Sequence, residues 1–455
     1  MNHKFKISSV NLFSLNPFTI KRQISNPIPL FLKSLKKFNG FLIVKIPFSS
    51  KKTYLTDKPN VIRHVLQKNN RNYTKSKLVQ ESVVPQIGNG LLTSEGEYWL
   101  KQRRAIQPAF HRGKLEYISQ VMSDEIKVFM NETLERYANS GESFQIDTEM
   151  MHLAFKLVSK SLFGKDPEDD KLDLIGEVVS YGQQYQTKRI RMPFLKPWLY
   201  ITGQTSKNEK MKKLGQDLLM EIISLRQKSS EKKDDLLQML IDTEYEDGSK
   251  MSNQQLLDES LIIYVAGHET TAIAMAWAIY LIATHPNVES KLVQSIAEDL
   301  KGEAPSFSNL RSLTYTTQVI EEAMRLYPPA WLVDREAIND DEVDGIKIKK
   351  GIPISCLIYS MHRHSDFWEN PNDFDPERFS SENKKKHVPF SYIPFGGGPR
   401  LCIGNNFAMM EMQLIIAMIF NKYSFELIQD KDSIDIQPMI TLRPKSGIVV
   451  KIKKR

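Results

Sequence analysis

The chain has 455 residues, 41% of them hydrophobic, and a net charge of +8; it is long and apolar enough to bury a large core, which argues against disorder. The basic excess is spread through runs such as Lys384-Lys385-Lys386 and residues 451–455, without aromatic interleaving or finger spacing. That pattern argues for no nucleic-acid partner and for a basic surface facing an acidic protein.

Taken in chain order, residues 1–40 read as a leader without a membrane anchor, because the stretch up to Phe48 is broken by Lys, Asn and Pro. It lacks both a signal core and the roughly 20 apolar residues of a membrane span, so a cytoplasmic protein is expected. Residues 41–46 and 53–55 are short β-type runs separated by a Ser/Lys turn, which predicts a hairpin. The middle of the chain is helical in pattern: 115–137, 211–227, 256–284 and 312–326 lack proline and repeat apolar residues at helical spacing. Segment 261–283 is apolar enough to raise the question of a membrane span, but Gly267, His268 and Glu269 inside it predict a buried helix with a site. Residues 229–235 and Asp247-Gly248 read as surface connections. Beyond Pro328 the texture changes to turns and short strands, at 346–348, 352–358 and 447–452. The expected fold is therefore mainly α with small β-sheets. No repeat or Gly/Ser linker divides the chain, so residues 41–455 are expected to form a single domain.

The residues that carry chemistry are dispersed along this frame. Trp99 and Arg103 are four apart and share a helical face. Ala266 and Thr270 do the same, with Ile263 and Ala274 extending a stripe that leaves space beside the helix. Gly267 weakens that helix, the hydroxyls of Thr270 and Thr271 compete for backbone carbonyls, and Glu269 beside Thr270 supplies a proton route. His268 reads as a packed or solvent-reaching side chain. Glu322 and Arg325 share a face at three-residue spacing, by default a weak exposed pair. Two cysteines, Cys356 and Cys402, are too few for a disulfide scaffold or a thiolate-rich structural zinc site, and suggest a reducing compartment. Around Cys402 the sequence runs Phe395-Gly396-Gly397-Gly398-Pro399-Arg400-Leu401-Cys402-Ile403-Gly404, followed by the apolar stretch 407–420. Glycines let such a loop aim amide N–H groups at a sulfur, and the following helix adds a favourable dipole for an anion. A thiolate on haem iron pushes electron density toward O–O cleavage, and Arg400 is placed to reach a haem carboxylate. The loop lacks the Gly-Lys-Ser/Thr ending of a phosphate cradle.

Phe395 to Gly404 satisfies the Phe-x-x-Gly-x-Arg-x-Cys-x-Gly signature of the cytochrome P450 superfamily, and the chain resembles that family from about Phe41 onward. Ala266 to Thr271 is similar to its Ala/Gly-Gly-x-Asp/Glu-Thr-Thr/Ser motif, Glu322 to Arg325 to its Glu-x-x-Arg pair, and Trp99 to Arg103 to its Trp-x-x-x-Arg motif. The resemblance implies an α-rich prism with a β-rich side, holding haem b with Cys402 as its axial thiolate and the protein's sole iron ligand. It implies cofactor contacts from Trp99, Arg103, Ala266, Gly267, Arg335, Phe395, Arg400, Cys402 and Gly404. Thr270 and Glu269 would be catalytic, and Glu322, Arg325 and Arg378 would form a structural trio. The implied reaction inserts one atom of O2 into a small organic substrate, by hydroxylation or oxidative demethylation. Electrons would come from NAD(P)H through separate partners, a ferredoxin or flavodoxin-type donor and its reductase. A soluble, monomeric, bacterial-type enzyme is expected. A peroxide-dependent peroxygenase and a non-catalytic haem sensor or electron carrier are the alternatives. The resemblance places the substrate pocket among residues 76–87, 180–191, 263–274, 330–333 and 440–442.

Overall fold

The computed structural model describes residues 9–11, 23, 25–45, 52–110, 112–164, 168–192 and 195–455. Ten main helices follow one another: α1 (Ile28–Lys37), α2 (Gly96–Ile106), α3 (Arg112–Phe129), α4 (Ile146–Phe163), α5 (Asp169–Arg191), α6 (Gln204–Lys228), α7 (Asn253–Ala283), α8 (Pro286–Leu300), α9 (Thr314–Leu326) and α10 (Asn405–Lys422). The strands are short: β1 (Ser9–Asn11), β2 (Phe41–Lys45), β3 (Lys52–Thr56), β4 (Tyr73–Thr74), β5 (Phe144–Gln145), β6 (Val333–Ala337), β7 (Asp341–Val343), β8 (Ile346–Ile348), β9 (Pro353–Cys356), β10 (Tyr423–Leu427), β11 (Ile436–Pro438), β12 (Leu442–Pro444) and β13 (Val449–Lys454).

α7 is the axis of the helical body. Ser252 caps it by accepting a hydrogen bond from the Gln255 N–H, and its second half is apolar on nearly every side. A helix of that kind belongs in a core. Although long and apolar enough to span a membrane, its most apolar window is 72% buried within this chain. Trp277 is fully enclosed, stacking on Tyr327 at 3.9 Å. α4 lies along α7 at close range, because Gly267 leaves room for Val158: a Cβ on Gly267 would come within 2.9 Å of Val158 Cγ2. The helix expected over 115–137 is broken by a π-helical turn at Met130–Leu134.

The largest sheet runs β1-β2-β3-β9-β6-β4. β2 and β3 form the expected antiparallel pair, Phe41 opposite Thr56; their connection, residues 46–51, lies outside the described residues. Part of the segment expected as a leader belongs to this corner: β1 pairs with β2, and Leu35 of α1 is buried with Leu42 and Leu55. β9 runs parallel to β3 and antiparallel to β6, which sets Arg335 opposite Ile354. Near the C-terminus the β11–β12 pair is tied to α7 by the Trp277 indole N–H, which donates to the Leu442 carbonyl at 2.8 Å.

Candidate active site

The middle of α7 has one bare spot. Ala266 is exposed and Thr270 half-buried on a helix whose neighbouring turns are enclosed. Thr270 Oγ1 donates to the Ala266 carbonyl at 2.7 Å, the back-bond its position suggests. Two of the expected residues also meet other parts of the fold here. Gly267, expected beside the cofactor, has its Cβ position against Val158, so its smallness serves the α4–α7 packing. Glu269, expected to assist Thr270, is buried with Oε1 engaged by the Thr441 hydroxyl at 2.5 Å and by Arg443 Nε at 2.8 Å. A carboxylate one residue along a helix points about 100° away from its neighbour, and here it meets β12 and the residue before it. His268 is packed, as expected, with its ring edge-on to Phe155 at 6.2 Å. Burial lowers its pKa to about 4, which keeps the imidazole neutral.

Cys402 comes from the loop that precedes α10, and α10 packs on α7 with Glu411 beside Thr271. The loop turns sharply at Gly396 and Gly398, whose φ values of 75° and 70° favour glycine. A Cβ on Gly398 would overlap the Leu66 carbonyl oxygen, so the loop is seated directly on the backbone of the turn Leu66-Gln67. The Cys402 N–H donates to the Phe395 carbonyl at 3.0 Å, which closes the loop. Protein around the Cys402 sulfur raises its thiol pKa by desolvation. The Gly404 N–H and the charge of Arg103 act in the opposite direction, toward a thiolate.

Cations converge next to this loop. Arg400 Nη2 pairs with Glu95 at 2.6 Å, and its guanidinium lies 3.8 Å above the Trp99 ring. Arg400 thus covers the Trp99 ring, while Arg103, on the same helix as Trp99, donates from Nη1 to the Leu401 carbonyl at 3.0 Å. Arg335 donates to the Asp334 carbonyl. Lys75, which sequence reading missed, joins them because β4 pairs with β6, setting Thr74 opposite Glu336. Burial, with Arg400 and Arg335 adding repulsion, lowers the Lys75 pKa to about 7. No local pattern marks Lys75. Glu95 is the acid that answers Lys75, Arg335 and Arg400 together, and Arg400 Nη1 is enclosed without an acceptor. Such a cluster calls for an additional anion.

Glu322, Arg325 and Arg378 come together in the fold. Glu322 and Arg325 are fully buried and bonded at 2.6 and 2.7 Å, and Arg378 Nε reaches Glu322 at 3.3 Å. Arg325 also donates to the carbonyls of His362, Pro371 and Asp373, which fastens the segment before the Cys402 loop to α9. A cavity of about 90 Å³ brings Ser180, Gln183 and Thr187 together with His268, Glu269, Ile440 and Arg443. Of the segments expected to form a substrate pocket, 76–87 and 330–333 do not line it.

A sulfur presented on a glycine-turned loop, a long core helix with a bare spot and an unanswered set of cations together define a haem-thiolate enzyme. The chain belongs to the cytochrome P450 family, whose profile matches residues 12–451. The chain is 26% identical to Protein LUTEIN DEFICIENT 5, chloroplastic, of Arabidopsis thaliana, over 91% of its own length and 72% of that protein. It is 32% identical to a cytokinin hydroxylase of Arabidopsis thaliana, over 86% and 77% of the two chains. With human cytochrome P450 4V2 it shares 28% identity over 84% and 78%. The crystal structure of a cytochrome P450DA heme domain superposes with a TM-score of 0.87 at 21% identity, covering 99% of this chain and 98% of that one, and shows the same fold. The chain is thus a cytochrome P450 monooxygenase whose cofactor is haem with an axial cysteine thiolate. Its residues fit that group, since the anion missing from the cation cluster matches the two propionates of haem. These relatives are plant and animal proteins, which lends no support to the expected bacterial-type, cytoplasmic assignment.

Proposed function

We propose that Cys402 is the axial ligand, within a single catalytic unit covering residues 41–455. Trp99, Arg103, Arg335, Arg400 and Lys75 hold the propionates, Phe395 and Gly404 shape the sulfur loop, and Ala266 leaves the space above the ring. When bound, the haem supplies reductive cleavage of dioxygen, with one oxygen atom going to carbon and the other leaving as water. The chain's own part is to hold the sulfur as a thiolate, exclude water and deliver protons. Thr270 Oγ1 is the hydroxyl nearest the bare spot. To donate a proton there it exchanges its bond to the Ala266 carbonyl for one across the gap. Once released from Arg443, whose side chain is 29% exposed, the Glu269 carboxylate takes a proton from solvent and passes it to Thr270.

The observation that carries the reading is the loop Phe395–Gly404, with the Gly404 amide and Arg103 both favouring the thiolate form of Cys402. The substrate is a small organic molecule, hydroxylated or oxidatively demethylated. Electrons come from NAD(P)H through a ferredoxin or flavodoxin and its reductase. Basic residues including Lys101, Arg112, Lys114 and Lys384–Lys386 attract that donor; Lys101 and Lys384 are ion-paired with Asp247 and Glu321. The side chains of Arg112 and Lys114 lie outside what the structure describes.

The test measures product, hydrogen peroxide and NADPH together in wild type and Thr270→Ala. Loss of the hydroxyl should preserve substrate binding while peroxide per NADPH rises several-fold and product falls. Unchanged coupling in a folded, haem-loaded variant removes Thr270 from the proton route. Cys402→His should abolish the thiolate signature of the reduced carbon monoxide complex. Cys356→Ser should keep it, because burial holds the Cys356 thiol up at about 12 inside β9.

A further inference from the structure

Beyond the bare spot, α7 continues for three to four turns to Tyr280 and Thr284, about 15 to 21 Å along the axis from Thr270 at 1.5 Å per residue. There the chain encloses a second cavity, of about 310 Å³, the lower end of the range for small-molecule pockets, roughly 300–1,000 Å³. Its walls include Tyr280, Tyr327, Tyr359, His285 and Phe374, and its mouth carries the exposed Asn372 and Lys431. Arg363 lines the interior.

Arg363 is the unusual member of this set. Its guanidinium carbon lies 4.0 Å from the Tyr359 ring centre and 5.2 Å from that of Tyr327, so two aromatic faces hold it in place. Nη1 is enclosed and has no hydrogen-bond partner. Among the described residues the side chain forms no ion pair, and the side chains outside the description include two carboxylates, Asp166 and Asp169. Glu322 is the acid whose charge reaches the guanidinium, but it is committed to Arg325 and Arg378. Arg363 shares its surroundings with Arg325, which adds repulsion. Nη1 carries two of the five N–H donors of the guanidinium, and leaving an enclosed donor unanswered is costly. Arg363 and, at the mouth, Lys431 are the cationic residues of the lining, and the aromatic walls accept an organic body.

We propose that this cavity is a binding site for a small organic oxyanion, a carboxylate or a phosphate monoester, held by Arg363 with Lys431 at the entrance. Its lining shares no residue with the cavity that holds Glu269 and Arg443. Occupation fastens the end of α7 to the end of α9 and to the segment around Asn372, which leads toward the Cys402 loop. The anion is therefore a ligand of the enzyme separate from the molecule it oxidises.

The experiment titrates haem-loaded protein, whose propionate cluster is already filled, with phenyl phosphate, benzoate and inorganic phosphate at constant ionic strength set by chloride. Binding is read by calorimetry and by the emission of Trp277, which stacks on Tyr327 in the cavity wall. Saturable binding of at least one probe is expected, and the tightest probe separates phosphate ester from carboxylate. Arg363→Gln should weaken it roughly tenfold or more, the loss of a charge-assisted pair. Lys431→Ala, at the exposed rim and without consequence for folding, should weaken it several-fold. The carbon monoxide spectrum should stay unchanged in both variants. If Arg363→Gln fails to fold, Lys431→Ala and the Trp277 response decide the matter. Absence of saturable binding to wild type, or equal binding by Lys431→Ala, overturns the site.

Discussion

Replacing Glu322 by alanine tests the best-defined polar knot in the molecule. Both Glu322 and Arg325 are at 0% side-chain exposure. The carboxylate accepts Arg325 Nε at 2.6 Å, Arg325 Nη2 at 2.7 Å, the Asp375 N–H at 3.0 Å and Arg378 Nε at 3.3 Å. Alanine leaves a buried guanidinium without its counter-charge. Breaking a buried pair from one side costs about 3–5 kcal/mol, against a total stability of about 5–15 kcal/mol for a typical domain. The carbonyls of His362, Pro371 and Asp373 still solvate Arg325, which favours the lower half of that range. Glu322→Gln retains the shape and one acceptor oxygen, so its cost should be smaller. Urea unfolding of the haem-loaded protein, followed by circular dichroism and the Soret band, gives both the stability and the haem retained. Glu322→Ala should lose about 3 kcal/mol and part of its haem, because the segment before the Cys402 loop loses its tie to α9. A loss below about 1 kcal/mol with full haem content would refute the reasoning, since it would make the trio equivalent to a surface pair.

The remaining predictions concern the loop and the helix behind it. Gly398→Ala combines a left-handed φ of 70° with overlap onto the Leu66 carbonyl; it should cost about 1–3 kcal/mol and lower the yield of the carbon monoxide complex. A wild-type yield would mean the loop is not seated on the Leu66-Gln67 backbone. Glu411 is buried, which raises its pKa to about 8, well above the usual carboxylate range, with Thr271 pulling the other way. The unfolded chain therefore gives up this proton more readily, so the melting temperature of the wild type should fall as pH rises from 4.5 to about 8. Glu411→Gln should flatten that slope, and parallel pH profiles for the two proteins would show that Glu411 does not titrate there.

Legibility in the sequence followed distance along the chain. Residues three or four apart on one helix face, such as Glu322 and Arg325 or Ala266 and Thr270, were readable because helical geometry alone brings them together. The Phe395–Gly404 loop was readable because a tight turn around a sulfur needs glycine and leaves a dense local pattern. Helix and strand identities followed from apolar periodicity, although the π-helical turn at Met130–Leu134 left no mark on it. Tertiary structure decided which groups answer one another across long separations. Arg443 claims Glu269 from 174 positions away, Arg400 rather than Arg103 covers Trp99, and Lys75 reaches the cation cluster through the pairing of β4 with β6. Gly267 looked like space for a cofactor and also gives space to Val158. Arg363 carries no motif of its own; only packing shows that two tyrosine rings hold it and that, among the described residues, it forms no ion pair. Periodicity states which face of an element a side chain occupies, whereas the identity of the opposite face depends on how separate elements dock, and no local spacing contains that.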